Sequence, residues 1–292
     1  MRSRWVLCWL LVAGAIAAPH DMEDSTRHTE DDNACGGGWR CVKPTQEEAT
    51  RCDLSVYYIA TDDDDGDDGM PSLHTPFKIV QRPGTVNREV FSKSAMLAEG
   101  ANFQARVGYS DELVRNQGAG VRKVGLNDFV RETMQAQRFD DRGSALEREY
   151  LFQRGEMIPL FSGEMDQLFA SFLERFGWRN NSTEHFIMIG GETSAIAWHR
   201  HAAALQINIF GYKRWLLYPA HKTPAGGATG GWALSDWLQN VKPTLIEDDA
   251  PLECIIGPEE GIYGESQTNT TPECYALLFN CLSILCDINK HR

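Results

Sequence analysis

The stretch from His199 to Pro219 constrains the fold more than any other part of the sequence. Two histidines, His199 and His201, stand one residue apart, and two apolar runs with β-strand character follow before Pro219. Side chains at positions i and i+2 of a strand point to the same face of a sheet. The two histidines can therefore aim at one point, and Lys213 lies one strand later. The pattern predicts a small β-barrel with a metal site and a cationic anchor.

The first 17 residues have the composition of a secretory signal peptide. A basic start precedes an apolar run over residues 5–16, and Ala15 and Ala17 have the spacing that signal peptidase cleaves. The apolar run is shorter than the roughly 20 residues that a membrane span needs, which favours cleavage over an uncleaved anchor. We therefore expect a protein of the secretory pathway with no membrane span after cleavage. The lumen of the endoplasmic reticulum is the expected location, with secretion as the alternative.

Cysteines and glycosylation motifs agree with that compartment. Seven of the eight cysteines lie beyond the signal, so at least one thiol stays unpaired within the chain. Cys35 and Cys41 could close a small loop, and Cys52 and Cys254 could tie the start of the domain to its end. Spacing alone fixes neither pairing. Three asparagines lie in glycosylation motifs, of which the first two overlap: Asn180, Asn181 and Asn269.

The net charge of −13 limits the classes of partner. An acidic protein repels a phosphate backbone, so nucleic acid is excluded as an expected partner. Six aspartates between Asp62 and Asp68 repel one another, which predicts a solvated loop over 61–69. A calcium loop is the alternative, but the glutamate that ends an EF-hand loop is absent.

Hydrophobic periodicity separates helices early in the chain from strands that dominate later. Residues 18–45 are polar and Gly-rich and are expected to be flexible. Helices are expected over 87–98, 126–137 and 163–176, the last with apolar residues at helical spacing. Strands are expected over 76–81, 121–124, 149–152, 185–189, 195–200, 205–210, 214–218 and 251–256. This order predicts an α+β domain with a mainly β core that closes on a barrel or a double-sheet roll.

The histidine pair and the lysine have a chemical interpretation. Non-haem Fe(II) oxygenases hold their metal with two histidines and one carboxylate, and a Lys or Arg receives the far carboxylate of 2-oxoglutarate. His199 meets the first ligand position, whereas His201 replaces the usual carboxylate. An all-histidine site also suits Zn or Cu. Taken alone, each histidine could be a hydrogen-bonded, partly buried side chain, and Lys213 a solvated lysine at a strand start.

Four motifs carry a resemblance to a known family: Trp198-His-Arg-His201, Phe210-Gly-Tyr-Lys-Arg-Trp-Leu-Leu-Tyr-Pro219, Lys222-Thr-Pro224 and Pro251-Leu-Glu-Cys254. Together they resemble the JmjC-domain (jumonji) Fe(II)/2-oxoglutarate oxygenases, more closely a branch in the lumen of the secretory pathway. The resemblance implies a double-stranded β-helix, a cupin-like jelly roll, over residues 46–263 with flanking N-terminal helices. It implies Fe(II) at His199 and His201, 2-oxoglutarate at Lys213, and a protein partner or protein substrate.

The sequence departs from the family pattern in three places. Ile196 replaces a threonine that contacts 2-oxoglutarate, and His201 replaces a carboxylate. The distal histidine ligand is not matched, because the similarity stops at Tyr263, and Tyr275 is the nearest candidate for its place. We interpret residues 264–292 as a divergent tail, arising from a gene-model or splice difference or from real degeneration. It predicts incomplete C-terminal strands and an exposed barrel edge.

Two functional hypotheses follow from these observations. The first is a lumenal Fe(II)/2-oxoglutarate-dependent protein hydroxylase that uses His199, His201 and Lys213. The second is a catalytically inactive JmjC-fold scaffold that acts through protein–protein contacts, which the missing carboxylate and distal histidine favour for this chain. A cupin-like module that binds a small ligand or Zn is a third alternative.

Overall fold

The computed structural model describes the chain in segments that cover most of the expected domain. The described residues are 34–40, 43–59, 71–109, 112–113, 121–132, 134, 137–139, 145–154, 159–176, 183–191, 194–201, 203–219, 221–226, 236–264, 274–279 and 282–288. All of them belong to one compact unit, Asn33–Arg292. The expected signal peptide, the acidic loop 61–69 and the three glycosylation motifs lie outside the described residues. In the part that the structure describes, no helix is long and apolar enough to cross a membrane.

The helices are short apart from one. The α-helices are α1 Gln46–Thr50, α2 Lys93–Glu99, α3 Leu126–Arg131 and α4 Pro159–Arg175. Single turns of 3₁₀-helix occupy Arg88–Phe91, Gly100–Asn102, Lys242–Thr244 and Glu247–Asp249, and a π-helical turn occupies Trp237–Val241. The helix expected over 163–176 is confirmed by α4. The one expected over 87–98 is divided at the extended Ser92 into a 3₁₀ turn and α2. The one expected over 126–137 ends at Arg131 because Glu132 leaves the helical conformation.

Most of the described chain is β-structure. The strands of the first half are β1 Ala34–Gly36, β2 Trp39–Arg40, β3 Ser55–Tyr58, β4 Phe77–Val80, β5 Gln104–Gly108, β6 Arg122–Gly125, β7 Gln137–Phe139 and β8 Ala145–Arg148. Those of the second half are β9 Tyr150–Arg154, β10 Thr183–Gly190, β11 Ala195–His201, β12 Ala204–Phe210, β13 Lys213–Tyr218, β14 Leu252–Ile256, β15 Glu260–Gly264, β16 Cys274–Phe279 and β17 Leu282–Ile288. The expected strands are confirmed.

Two sheets form a roll. The larger has the order β3-β4-β15-β12-β17-β10-β9-β5-β6, and the smaller has the order β11-β16-β13-β14. Their pairs are antiparallel except β3 with β4, which are parallel. Side chains of both sheets meet in one buried cluster, the inner core, which includes Tyr150, Met188, Ile196, Trp215 and Leu217. This double sheet confirms the expected jelly roll with a mainly β core.

Helices cover the outer faces of both sheets. Alternate residues of β12 point away from the inner core and pack against apolar residues of α4. The same buried cluster contains Leu205, Ile207 and Ile209 of β12 and Phe161, Met165, Phe169 and Phe172 of α4. On the other side, Trp237 packs against Trp198 and Tyr218 of the smaller sheet, with 5.0 Å between the centroids of the two tryptophan rings. Helical segments therefore pack against both sheets: α4 against the larger one and the π-helical turn Trp237–Val241 against the smaller one.

The divergent tail completes both sheets, so the expectation of incomplete C-terminal strands and an exposed edge is wrong. β16 lies between β11 and β13, and β17 lies between β12 and β10. Main-chain hydrogen bonds are what join a strand to its neighbours. An apolar, β-branched run such as Leu282–Ile288 can make these bonds without any family motif. Loss of sequence similarity in the tail therefore did not mean loss of strands.

The segment expected to be flexible, 18–45, is ordered at its end. β1 and β2 form a hairpin, and the two residues between them, Gly37 and Gly38, have φ of 58° and 76°. Such a turn needs two left-handed residues, which glycine provides without steric cost. Trp39 is buried, and its Nε1 donates to the carbonyl of Phe91 at 3.1 Å. The buried indole fixes this hairpin to the domain.

A disulfide joins Cys52 to Cys254 across a sequence separation of 202 residues. The chain on either side of Cys52 pairs with β14, because Asp53 donates to the carbonyl of Glu253 and Ile255 donates to that of Arg51. Of the pairings that the sequence left open, this one ties the start of the domain to β14.

Candidate functional site

His199 lies on β11 with its ring held by its own strand. The ring Nδ1 is 2.7 Å from the carbonyl oxygen of Ala197. A carbonyl only accepts hydrogen bonds, so Nδ1 carries the proton and Nε2 keeps its lone pair. Burial lowers the pKa of His199 to about 4; the hydrogen bond to Ala197 opposes this shift, and the charge of Lys213 adds to it. The imidazole is neutral at pH 7, with the tautomer that a metal-binding histidine needs.

The backbone register places His199 and His201 on one face of the sheet. His199 pairs with Ala276 and His201 pairs with Cys274, with no irregularity between the two pairs. Ala276 also pairs with Leu217, whose side chain lies in the inner core. Paired residues share a face, so both histidine positions fall on the inner side of the roll. The sequence predicted the shared face; the register shows which face it is.

Lys213, the first residue of β13, is fully buried inside the roll. Its Nζ donates to the hydroxyl of Tyr150 at 3.3 Å and lies 3.8 Å from the sulfur of Met188. The ring of Trp215 is 5.6 Å from the same nitrogen. The structure thus excludes the alternative of a solvated lysine. The side chain of Lys213 extends from the smaller sheet, and its ammonium group contacts Tyr150 and Met188 of the larger sheet.

Tyr150 is a candidate site residue that the sequence did not identify. The residue is fully buried at the start of β9, where it pairs with Gly190 of β10. The sequence predicted a strand there, but no pattern links Tyr150 to Lys213 across a sequence separation of 63 residues. One signal was available: Tyr150 lies in a predicted strand, whose residues alternate between the two faces of a sheet. If the tyrosine lies on the buried face, its hydroxyl needs a hydrogen-bond partner.

Gly190 leaves the space that the ring of Tyr150 occupies. A Cβ at this position would come within 2.5 Å of the ring and would also meet the hydroxyl of Ser194. We expect Gly190→Ala to lower the free energy of unfolding by about 1–3 kcal/mol, because overpacking forces the neighbours to move. Urea denaturation measures this. Gly163→Ala is the matched control: it is exposed on α4 with nothing within 4 Å, and it should stabilise the protein by roughly 0.5–1 kcal/mol. Equal effects of both changes would contradict the packing described for Tyr150.

The third position of an Fe(II) site is not supplied by the expected residue type. Tyr275 pairs with Arg200 and with Tyr218, and Tyr218 packs on the outer face of the smaller sheet. The register thus places position 275 on the outer face of the smaller sheet, and a part for Tyr275 in place of the distal histidine stays a prediction. Within the segments that the structure describes, no three His, Cys, Asp or Glu side chains are grouped to hold a metal. The described residues thus do not fit a site of two histidines and one carboxylate.

Ile196, which replaces the threonine of the family pattern, packs in the core. Its side chain is buried in the inner core. The nearby Ser194 hydroxyl donates to the carbonyl of Gly191 at 2.7 Å. An apolar side chain supplies no hydrogen bond to a carboxylate, whereas Lys213 and Tyr150 place two polar groups side by side in the interior of the roll.

Comparison with known proteins gives partial matches. JmjC domain-containing protein 8 of Rattus norvegicus is 36% identical over 75 residues, which cover 26% of this chain and 27% of the relative. The protein of the same name from Homo sapiens is 33% identical over 88 residues, 30% of this chain and 33% of the relative. Lysine-specific demethylase JMJ21 of Arabidopsis thaliana is 32% identical over 92 residues, 27% of this chain and 10% of the relative.

The matched region is short in every case. No family model matches the chain. The chain spans about a third or less of the length of the curated relatives that it matches. Several relatives nevertheless share the JmjC name, and the described sheets form the jelly roll that such a core requires. Part of the chain is therefore similar to JmjC-domain proteins, and its β-rich roll is consistent with a JmjC core.

Proposed function

We propose that this chain is a JmjC-fold protein of the secretory pathway that binds a dicarboxylate of the 2-oxoglutarate class inside its roll. The observation that carries the proposal is the buried Lys213 ammonium, 3.3 Å from the hydroxyl of Tyr150. One carboxylate of the ligand would meet both groups. The JmjC family generally uses 2-oxoglutarate, which supports this choice of ligand.

The electrostatics of the inner core favour such a ligand. A charge-assisted hydrogen bond is stronger in a dry interior than in water, since the local dielectric constant is low. The positive charge of Lys213 also reaches His199, whose pKa it lowers. An anion between the two residues would therefore meet a cation and a neutral imidazole, with no acidic group among the contacts just described.

Oxygenase chemistry does not follow from the described residues, because they lack the carboxylate and the distal histidine. The chain is thus proposed as a binder of the dicarboxylate and not as an Fe(II) hydroxylase. The second candidate function is a scaffold that acts through protein partners, and the same incomplete ligand set favours it. Binding of the dicarboxylate distinguishes the two candidates, since a pure scaffold needs no small ligand.

Titration of 2-oxoglutarate into the purified, metal-free protein by calorimetry tests the proposal. We expect Lys213→Met to weaken binding by about 10- to 100-fold, the range that corresponds to one lost charged hydrogen bond. Tyr150→Phe, which keeps the ring and removes the hydroxyl, should weaken binding less. Lys123→Met removes an exposed lysine of β6 and should leave the affinity unchanged. Equal affinity in wild type and Lys213→Met would overturn the proposal, as would no binding by the wild type.

The secretory location has a separate test. The disulfide between Cys52 and Cys254 supports it, because such bonds persist in oxidising compartments. We expect the protein from a secretory host to begin at Ala18 and to lose mass on treatment with an N-glycosidase. N-terminal sequencing and intact mass measure both. A mature protein that still begins at Met1 and carries no glycan would contradict the location.

A further inference from the structure

Residues 51–54, here called the strap, connect the edges of the two sheets. The amide of Asp53 donates to the carbonyl of Glu253, and that of Ile255 donates to the carbonyl of Arg51. The amide of Glu253 donates to the carboxylate of Asp53 at 2.7 Å. The chain then continues into β3, which pairs with β4 at the edge of the larger sheet. Because β14 is the edge strand of the smaller sheet, the strap closes one side of the roll.

Two side chains of the strap face the interior of the roll. Leu54 is buried and belongs to the inner core together with Trp215. Cys52 packs against the same cluster, and its disulfide partner Cys254 pairs with Trp215 across the interface between β13 and β14. The Trp215 ring is 5.6 Å from the ammonium nitrogen of Lys213. The strap therefore borders the part of the interior that is proposed to hold the dicarboxylate.

The disulfide is the one covalent link between the strap and β14. The helix before the strap, α1, has no buried residue, so it adds no apolar anchor. The ion pair between Arg51 and Glu253 is half exposed on the arginine side and contributes little. Lys78 of β4 donates to the carbonyl of Ile255 at 3.2 Å, which joins the two sheet edges without the strap. Once the disulfide is broken, the strap can therefore detach while both sheets keep their positions.

We propose that residues 51–54 form a redox-controlled strap, which the disulfide between Cys52 and Cys254 keeps closed and which a dithiol reductant releases, so that the interior opens to its ligand. The ligand in this statement rests on the proposed function. One thiolate of the reductant attacks the sulfur of Cys52, because this residue is partly exposed whereas Cys254 is fully buried. The disulfide bond breaks, and the sulfur of Cys254 leaves as a thiolate and takes up a proton. The second thiol of the reductant then displaces Cys52. The protein gains two electrons and two protons, and the reductant becomes a disulfide.

Thiol chemistry on the full-length protein tests the release of the strap. We expect dithiothreitol to open the disulfide between Cys52 and Cys254 while the circular dichroism spectrum stays native. Iodoacetamide should then alkylate Cys254, which mass spectrometry of its peptide measures. The alkylation rate should not change in low urea, because a local opening exposes little surface. A bond that opens only when the protein unfolds would overturn the proposal, as would an alkylation rate that rises with urea as global unfolding does.

Two variants show whether the strap controls this reaction. Leu54→Ala should raise the alkylation rate of Cys254 in the reduced protein by about 10- to 100-fold, because it removes the buried side chain that holds the strap in the core. Val56→Ala is the matched control: Val56 is 41% exposed on β3, and its replacement should leave the rate unchanged. Equal rates in the two variants would contradict the strap. Cys52→Ser gives the released state without a reductant and should match the reduced wild type.

The association rate of 2-oxoglutarate separates this proposal from the proposed function. We expect stopped-flow tryptophan fluorescence to show association roughly 10-fold faster after reduction, because entry no longer waits for a closed strap. The same association rate in the oxidised and the reduced protein would overturn the control of access by the disulfide. If neither form binds 2-oxoglutarate, the proposed function fails, while the alkylation of Cys254 still decides whether the strap opens the interior.

Discussion

Replacing Cys52 and Cys254 together by alanine is expected to lower the free energy of unfolding by about 2–5 kcal/mol. The disulfide closes a loop of 202 residues, nearly the whole described domain. A covalent link of that span removes many conformations from the unfolded chain, and the chain-entropy estimate for it is roughly 5 kcal/mol. Cys254 is fully buried, so the double change also removes a packed side chain. Chemical denaturation at neutral pH measures the difference.

Reduction of the disulfide gives the control for this prediction. A thiol reductant should shift the unfolding midpoint of the wild type toward that of the double variant, and it should leave the double variant unchanged. If the reductant moved both proteins equally, another bridge would account for the effect. If it moved neither, the link between Cys52 and Cys254 would contribute nothing to stability.

Glu253→Gln is expected to lower the free energy of unfolding by about 2–3 kcal/mol. The Glu253 carboxylate is buried and contacts three cations: Arg214 at 2.5 Å, Lys242 at 2.9 Å and Arg51 at 3.4 Å. Loss of the charge removes the carboxylate that all three cations share. Breaking a fully buried pair costs about 3–5 kcal/mol, and the estimate here is smaller because the cations are partly exposed.

The same carboxylate should make stability depend on pH. Burial is the largest influence on the pKa of Glu253 and raises it, but the hydrogen bond from Lys242 and the charges of the three cations together lower it below its ordinary value of 4.5. A lowered pKa stabilises the folded state above pH 4.5. That stability is lost as the pH falls through the folded-state pKa. Denaturation curves between pH 7 and pH 3 should therefore show a smaller loss for Glu253→Gln than for wild type.

Glu47→Gln is the matched control for the loss of charge. Glu47 is exposed on α1, so its replacement should change stability by less than about 0.5 kcal/mol. An equal loss from both substitutions would mean that total charge, and not the three cations, determines the effect. A pH dependence that is the same in Glu253→Gln and wild type would contradict the role of this carboxylate.

The sequence predicted the jelly roll because strand periodicity and the motifs around Lys213 agree with each other. It also predicted that His199 and His201 share a face, since this follows from strand geometry alone. It could not predict the partner of Lys213. Tyr150 reaches that lysine from the opposite sheet, and contacts between sheets leave no local pattern in a single sequence. The roles of these residues in binding remain predictions.

The prediction for the tail was wrong for a different physical reason. Similarity to a family reports the identity of side chains, whereas a strand needs only backbone pairing and a suitable apolar pattern. The run from Leu282 to Ile288 has that pattern without the family motif. In the same way, β16 pairs with β11 and β13 although the similarity to the family stops at Tyr263.

The position of β16 and β17 in the sheets also bears on how the protein is made. Both strands are inserted between strands that precede them by many residues, as in the pairing of Thr183 with Ile288. A nascent chain cannot form either sheet fully until residues 274–288 have emerged from the ribosome. Such long-range pairing slows folding and leaves strand edges open in the meantime. The strands that flank β16 and β17 therefore stay open to wrong pairings until these residues are available.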